Sequence, residues 1–189
     1  MLKDLVNRNR SYRRFDQSHA ITRQSLEQLI DMARLSATGG NLQPLKFILS
    51  CDKDKNDSIF PHLAWAGYIK DWDGPEEGEK PSGYVIILGD TEIRNPFGCD
   101  HGIAAQSILL GAVEMDLGGC MIMSVQKAKL AAALKIPDRY EILLVIALGK
   151  PAEKVVIDPI GPDASIEYWR DETGVHHVPK RSLDELILP

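Results

Sequence analysis

The chain has 189 residues, with 22 Lys and Arg against 27 Asp and Glu and a formal net charge of -5 at pH 7. Its 44% apolar and 26% charged residues exclude a disordered chain and describe an ordinary globular one, long enough to bury about 70% of its unfolded surface. The acidic balance argues against a nucleic-acid binder, because no basic field is present to release counterions.

No stretch is long and apolar enough to span a bilayer, and Met1-Leu2-Lys3-Asp4 runs straight into charge without a signal-peptide core. Three scattered cysteines, Cys51, Cys99 and Cys120, do not make a disulfide framework and fit a reducing compartment. The expectation is one cytoplasmic domain over 1–189, with no membrane partner.

Leu2–Arg10 reads as a short charged helix. Thr22 is a candidate N-cap, and Leu26, Leu29, Ile30 and Ala33 follow at i, i+3, i+4 and i+7, one face of a helix. Thr38-Gly39-Gly40 ends it. Phe47–Cys51 reads as a strand, and Lys70–Gly83, with five acids, as a long surface loop. Tyr84–Gly89 is a buried strand, and Asp100–Leu117, apolar almost all round, a central helix. Asp100 is the expected N-cap there, Cys99 a buried small hydrophobe. Met121–Val125 is a short strand, Lys127–Leu134 an Ala-rich helix, and Ile142–Leu148 the strongest strand. The tail, 151–189, shows little core character before the capping box Ser182-Leu183-Asp184-Glu185, and so suits an arm that wraps a partner subunit. Large helices and few strands predict an α+β sandwich, a small mixed or antiparallel sheet between helical layers.

Three segments carry candidate chemistry. Asn9-Arg10-Ser11-Tyr12-Arg13-Arg14 offers guanidinium forks and a hydroxyl, the donor set a phosphate dianion takes; the alternative is a solvated basic turn. Lys180 and Arg181 bring further cations from the tail. Thr38, Gly39, Asn41 and Gln43 combine close backbone approach with two amides that both donate and accept, which suits a heterocycle's edge; a plain helix end is the alternative. Met121, Ile122, Met123 and Ser124 follow the buried helix, where backbone can lie against a planar ring. Cys99-Asp100-His101 lacks the three or four ligands of a zinc site, and His176-His177 reads as an exposed pair. No dinucleotide fingerprint or phosphate-binding Gly-Lys-Ser/Thr loop occurs.

Taken in order, Arg10-Ser11-x-Arg13-x-Phe15, Gly39-x-Asn41-x-Gln43-Pro44, Leu117-Gly118-Gly119-Cys120, Ile136-Pro137-x-x-Tyr140 and Leu148-Gly149-Lys150-Pro151 resemble the nitroreductase family. That resemblance implies an FMN-dependent oxidoreductase, an intertwined homodimer with two sites at its interface. NADH or NADPH is the implied transient donor, and a small molecule such as a nitroaromatic or quinone the acceptor. It puts Arg10, Ser11 and Arg13 at the FMN phosphate and ribityl chain, with Lys180 or, as the better fit, Arg181 adding charge. It puts Thr38, Gly39, Asn41 and Gln43 near the ring and ribityl groups, from a loop that can come from the other subunit, and backbone at Met121–Ser124 against the ring. No side chain is singled out as a catalytic acid or base. Asn9 stands where many members have Arg, Ala37 where a Pro is common, and Met121 where a Trp or Pro often sits. The acidic loop Asp71–Lys80, with Trp65, Tyr68 and Trp72 at its approach, is the candidate wall or lid over the ring; a surface insertion is the alternative. An FMN store or sensor without turnover is the competing reading.

Overall fold

The computed structural model describes residues 1–188. Helix α1 (Leu2–Arg8) leads to a two-residue strand β1 (Phe15–Asp16) and then to α2 (Arg23–Arg34), whose first turn is capped by the Thr22 hydroxyl accepting from the Ser25 amide at 3.0 Å. A 3-10 turn at Gly39–Asn41 precedes β2 (Leu45–Ser50). Helix α3 (Lys53–Ile59) is capped by Asp52. The long connection that follows reaches β3 (Gly83–Asp90), α4 (Asp100–Glu114), β4 (Gly118–Ile122), α5 (Lys127–Leu134) and β5 (Tyr140–Pro151).

Strands β2, β3, β5, β4 and β1 form one antiparallel sheet: β3 lies between β2 and β5, and β4 and β1 pair with β5. Every residue of β3 is buried, as a strand covered on both faces requires. On one face Leu26 and Leu29 of α2 and Ala105, Ile108 and Ala112 of α4 pack against Val85, Ile87, Leu144 and Ile146. On the other, Ile59, Trp65 and Leu130 pack against Tyr84, Ile86, Val145 and Ala147. The alternation along β3 and β5 therefore serves two separate cores, one per face, and the result is the expected α+β sandwich.

The tail buries only His176 among its described residues. It builds its own sheet, β6 (Val155–Pro159) parallel to β8 (His176–Lys180), with β7 (Trp169–Arg170) antiparallel on β8's other side. A short α6 (Leu183–Leu186) follows, started by the capping box at Ser182 and Glu185. This sheet is tied to the main body through Glu153. Its carboxylate, 2% exposed, pairs with Arg170 at 3.1 Å and accepts from the backbone amides of Arg13 and Arg14. Trp72, in the acidic loop, lies under the Arg170 guanidinium at 4.1 Å.

Three smaller expectations are corrected. The strand expected at Met121–Val125 lies earlier, at Gly118–Ile122, because Gly119 packs too tightly against its neighbour for any side chain: a Cβ there would sit 2.5 Å from the Ala147 carbonyl of β5. Cys99 is exposed and occupies the N-cap position of α4, so Asp100 is the helix's first residue. Among the described residues no helix is long and apolar enough to cross a membrane.

Candidate functional site

Two clefts lie where the basic turn meets β4 and the tail sheet. The first, about 310 Å³, is lined by Asn9, Arg10, Ser11, Arg13, His176 and Lys180, among others. Arg10 donates to the Val6 carbonyl at 2.6 Å, and its Nε is buried without a partner. Arg13 donates to the Ser11 carbonyl at 3.3 Å and lies 3.4 Å from His176 Nε2, with its guanidinium 4.8 Å from the Tyr168 ring centre. Among the described residues Arg10, Arg13 and Lys180 form no ion pair, and no carboxylate lines the cleft. Three cations facing one cavity without counter-charge repel one another, and an anion relieves that cost.

His176 is fully buried, contrary to its reading as half of an exposed pair. Burial first, and the charge of Arg13 second, push its imidazole down to about 4, so it is neutral near pH 7. Arg13 can then donate to Nε2, which puts the ring proton on Nδ1, a buried atom without a partner. His177 points the other way, bridging Asp158 at 2.8 Å and Asp171 at 3.4 Å.

The second cleft, about 220 Å³, shares Arg13 and Tyr168 with the first and is lined by Trp65, Ala66 and Met121–Ser124. The outer edge of β4 is bridged at Gly119 to Ser11 and beyond its end at Val125 to Leu63. Between these bridges that edge has no strand partner among the described residues, leaving a gap where backbone faces a slot. Beneath it Cys120 is buried, and burial pushes its thiol up, so it is an inert hydrophobe there.

The predicted residues thus divide into two groups. Arg10, Ser11, Arg13, Lys180 and Met121, Ile122, Met123 and Ser124 surround the adjoining clefts. Arg181 does not: it pairs with Glu185 at 3.1 Å, and Lys180 is the tail cation that lines the first cleft. Thr38, Gly39, Asn41 and Gln43 line neither cleft. Their loop is held at the start of α4, where buried Asp100 accepts from the Gly39 amide at 2.9 Å and Arg94 donates to the Gly39 carbonyl at 3.3 Å. Gly40, Asn41 and Gln43 all have φ between 52° and 60°. Left-handed backbone at two side-chain-bearing residues is a conformation that persists only where surroundings over-determine it. Asp71–Lys80 lines neither cleft, whereas Trp65, named with that loop, does line the second, together with Ala66 and Gly67. Sequence reasoning missed Tyr168 and His176, for which the only signal was their place in an apparently featureless tail.

Fold and clefts together define an α+β sandwich with a cationic cavity at the edge of its sheet. The chain belongs to the nitroreductase family, whose model matches residues 6–150. The tail sheet, with Tyr168, His176 and Lys180, lies outside that match. Over 60 residues the chain is 33% identical to the oxygen-insensitive NADPH nitroreductase of Helicobacter acinonychis (strain Sheeba), covering 32% of this chain but only 29% of that protein. The nitroreductase family protein of Streptococcus pneumoniae superposes over 100% of both chains with a TM-score of 0.73 at 16% identity. The NADPH:FMN oxidoreductase of Vibrio harveyi, solved with NAD+, superposes with a TM-score of 0.66 at 21% identity, covering 86% of this chain and 74% of that one. At such identities the superpositions establish a shared fold.

Proposed function

We propose that the chain is an FMN-dependent oxidoreductase that works as a cytoplasmic homodimer. The observation that carries this reading is the unpaired trio Arg10, Arg13 and Lys180 around a cleft that opens beside a gap in the β4 edge. The residues present fit the group. Arg10, Arg13 and Lys180 would hold a phosphate dianion in the first cleft, and Ser11 would add a hydroxyl. The second cleft would take a flat ring against the Met121–Ser124 backbone.

Arg13 lines both clefts, so its fixed charge also favours negative charge that develops on a ring held there. Glu153 aims that turn by accepting from the Arg13 and Arg14 amides. Trp65 and its neighbours exclude water from one side of the slot. Asn41 and Gln43 complete the ring's hydrogen bonds from a second subunit, since in their own chain their loop is tied through Gly39 to Asp100 and Arg94 and they line neither cleft. The chemistry that FMN supplies when bound is two-electron transfer, from NADH or NADPH to a small acceptor such as a nitroaromatic or quinone.

The test begins with the absorption spectrum of the purified protein and the mass of its released chromophore. Flavin bands with FMN near one per chain are expected. Steady-state NAD(P)H oxidation with an added nitroaromatic or quinone follows. FMN without turnover on any acceptor identifies a store or sensor, and a protein that takes up no FMN overturns the reading.

A further inference from the structure

Tyr168 lines a third cleft besides the two described, and this one is different in character. It is the roomiest of the three at about 430 Å³, and its walls include Tyr68, Trp169, Asp158 and Glu167. Tyr68 and Trp169 stay 46% and 49% exposed, so their ring surfaces are not used up by packing in this chain. Tyr68 meets Tyr168 edge to face at 4.9 Å, which fixes the angle between two walls. Trp169 lies flat on His177 at 4.1 Å, which locks one ring face and leaves the opposite one available.

The charges facing this cleft are all of one sign. No Lys or Arg lines it. Asp158 is partly committed to His177, which it holds at 2.8 Å. Glu167 forms no ion pair among the described residues; only its backbone amide is engaged, by the Ser165 hydroxyl. Arg13 sits on the Tyr168 ring from the neighbouring clefts, which it lines, and not from this one, and His177 stands behind Trp169 and Asp158 rather than in the lining. Aromatic faces carry negative quadrupole density, and a free carboxylate beside them adds net charge of the same sign. Such walls attract a flat, positively charged ring, tolerate a neutral one and repel an anion.

We propose that this cleft is a binding site for planar aromatic organic cations, of the N-alkylated heterocycle class. The claim stands on the cleft itself. Its use as the approach of an acceptor to the neighbouring slot rests on the FMN reading, which is measured separately.

The experiment is calorimetric titration of the purified protein, with and without added FMN, using three ligands of similar shape: N-methylquinolinium, neutral quinoline and anionic 2-naphthoate. N-methylquinolinium should bind about two- to fivefold more tightly than quinoline, the range for a cation over an exposed ring. At the site that Trp169→Ala weakens, 2-naphthoate should bind most weakly; 2-naphthoate binding that Trp169→Ala leaves unchanged belongs to the three-cation cleft. Glu167→Gln, at an exposed position, should reduce the cation's advantage and leave quinoline unchanged. Trp169→Ala should weaken both. Equal or tighter binding of 2-naphthoate at the Trp169-dependent site overturns the proposal, and so does heat from none of the three, as when a second subunit covers the cleft. A Glu167→Gln protein with the cation's advantage undiminished also overturns it. FMN uptake on the same preparation reports on the cofactor reading alone, because the ligand titration does not need the flavin.

Discussion

Arg13 is the residue on which the clefts turn. It faces both of them, stacks on Tyr168 and meets His176, yet has no carboxylate partner of its own. Arg13→Ala should weaken FMN binding by about 1.5–3 kcal/mol, the worth of a charge-assisted hydrogen bond, or roughly tenfold or more in Kd. Flavin fluorescence on titration measures it, and an unchanged Kd removes Arg13 from the phosphate. Glu153 supports the same turn from behind and is buried with Arg170, which is only 10% exposed. Glu153→Ala leaves a buried guanidinium without its counter-charge and two backbone amides without their acceptor. The expected loss is about 3 kcal/mol of stability in urea unfolding. Glu153→Gln keeps an acceptor oxygen for the amides, so it should lose less stability and retain more FMN affinity than the alanine variant.

The helices and central strands follow from local pattern, and the tail does not. The α2 face Leu26, Leu29 and Ala33, its Thr22 cap and the bounds of α5 were legible because apolar period and capping chemistry agree there. Helix α3 escaped notice because Lys53–Ile59 is polar except at its last residue, and Asp52 as N-cap was its only mark. The tail sheet was illegible for another reason. Its strands are short, one is built on His176-His177-Val178-Pro179, and their order depends on pairing partners far apart in sequence. The anion cleft was half legible: the arginine turn is local, whereas His176 joins it only through the fold. The two histidines make this sheet pH-sensitive in opposite senses. For His176 the folded value, about 4, lies below its ordinary 6.5. The unfolded chain therefore takes up the proton first, and stability falls as pH drops from 6.5 towards 4. His177 is raised by its hydrogen bonds to Asp158 and Asp171, so its contribution is complete below 6.5 and is lost as pH rises through the raised value. Amide hydrogen-exchange protection in β8, corrected for the intrinsic rate at each pH, should accordingly be greatest near 6.5, below the raised His177 value. His177→Ala should flatten the alkaline side and leave the acid side in place; an unchanged alkaline side would show that the bridge to Asp158 and Asp171 does not hold the sheet.

At the scale of the whole molecule, the predicted site residues of one chain fall in two places. The arginine turn and β4 edge form the clefts, while Asn41 and Gln43 sit on a loop clamped by Asp100 and Arg94. In the proposed two-fold dimer, symmetry would let each subunit lend its loop to the other's clefts. Mixed dimers separate this arrangement from a site built within one chain. Arg13→Ala and Asn41→Ala subunits, co-expressed with different tags, give a mixed species that two affinity steps isolate. With the loop supplied in trans, one of its sites carries both substitutions and the other carries neither. Half the sites should then bind FMN at the affinity of the unaltered protein, and the other half should bind more weakly than either single variant. With the loop supplied in cis, every site carries one substitution and none recovers. A biphasic FMN titration with a full-affinity phase near half an equivalent per chain establishes the shared site. A titration that is an even blend of the two parent variants, without that phase, assigns Asn41 to its own chain and removes the reason for the dimer to be obligatory.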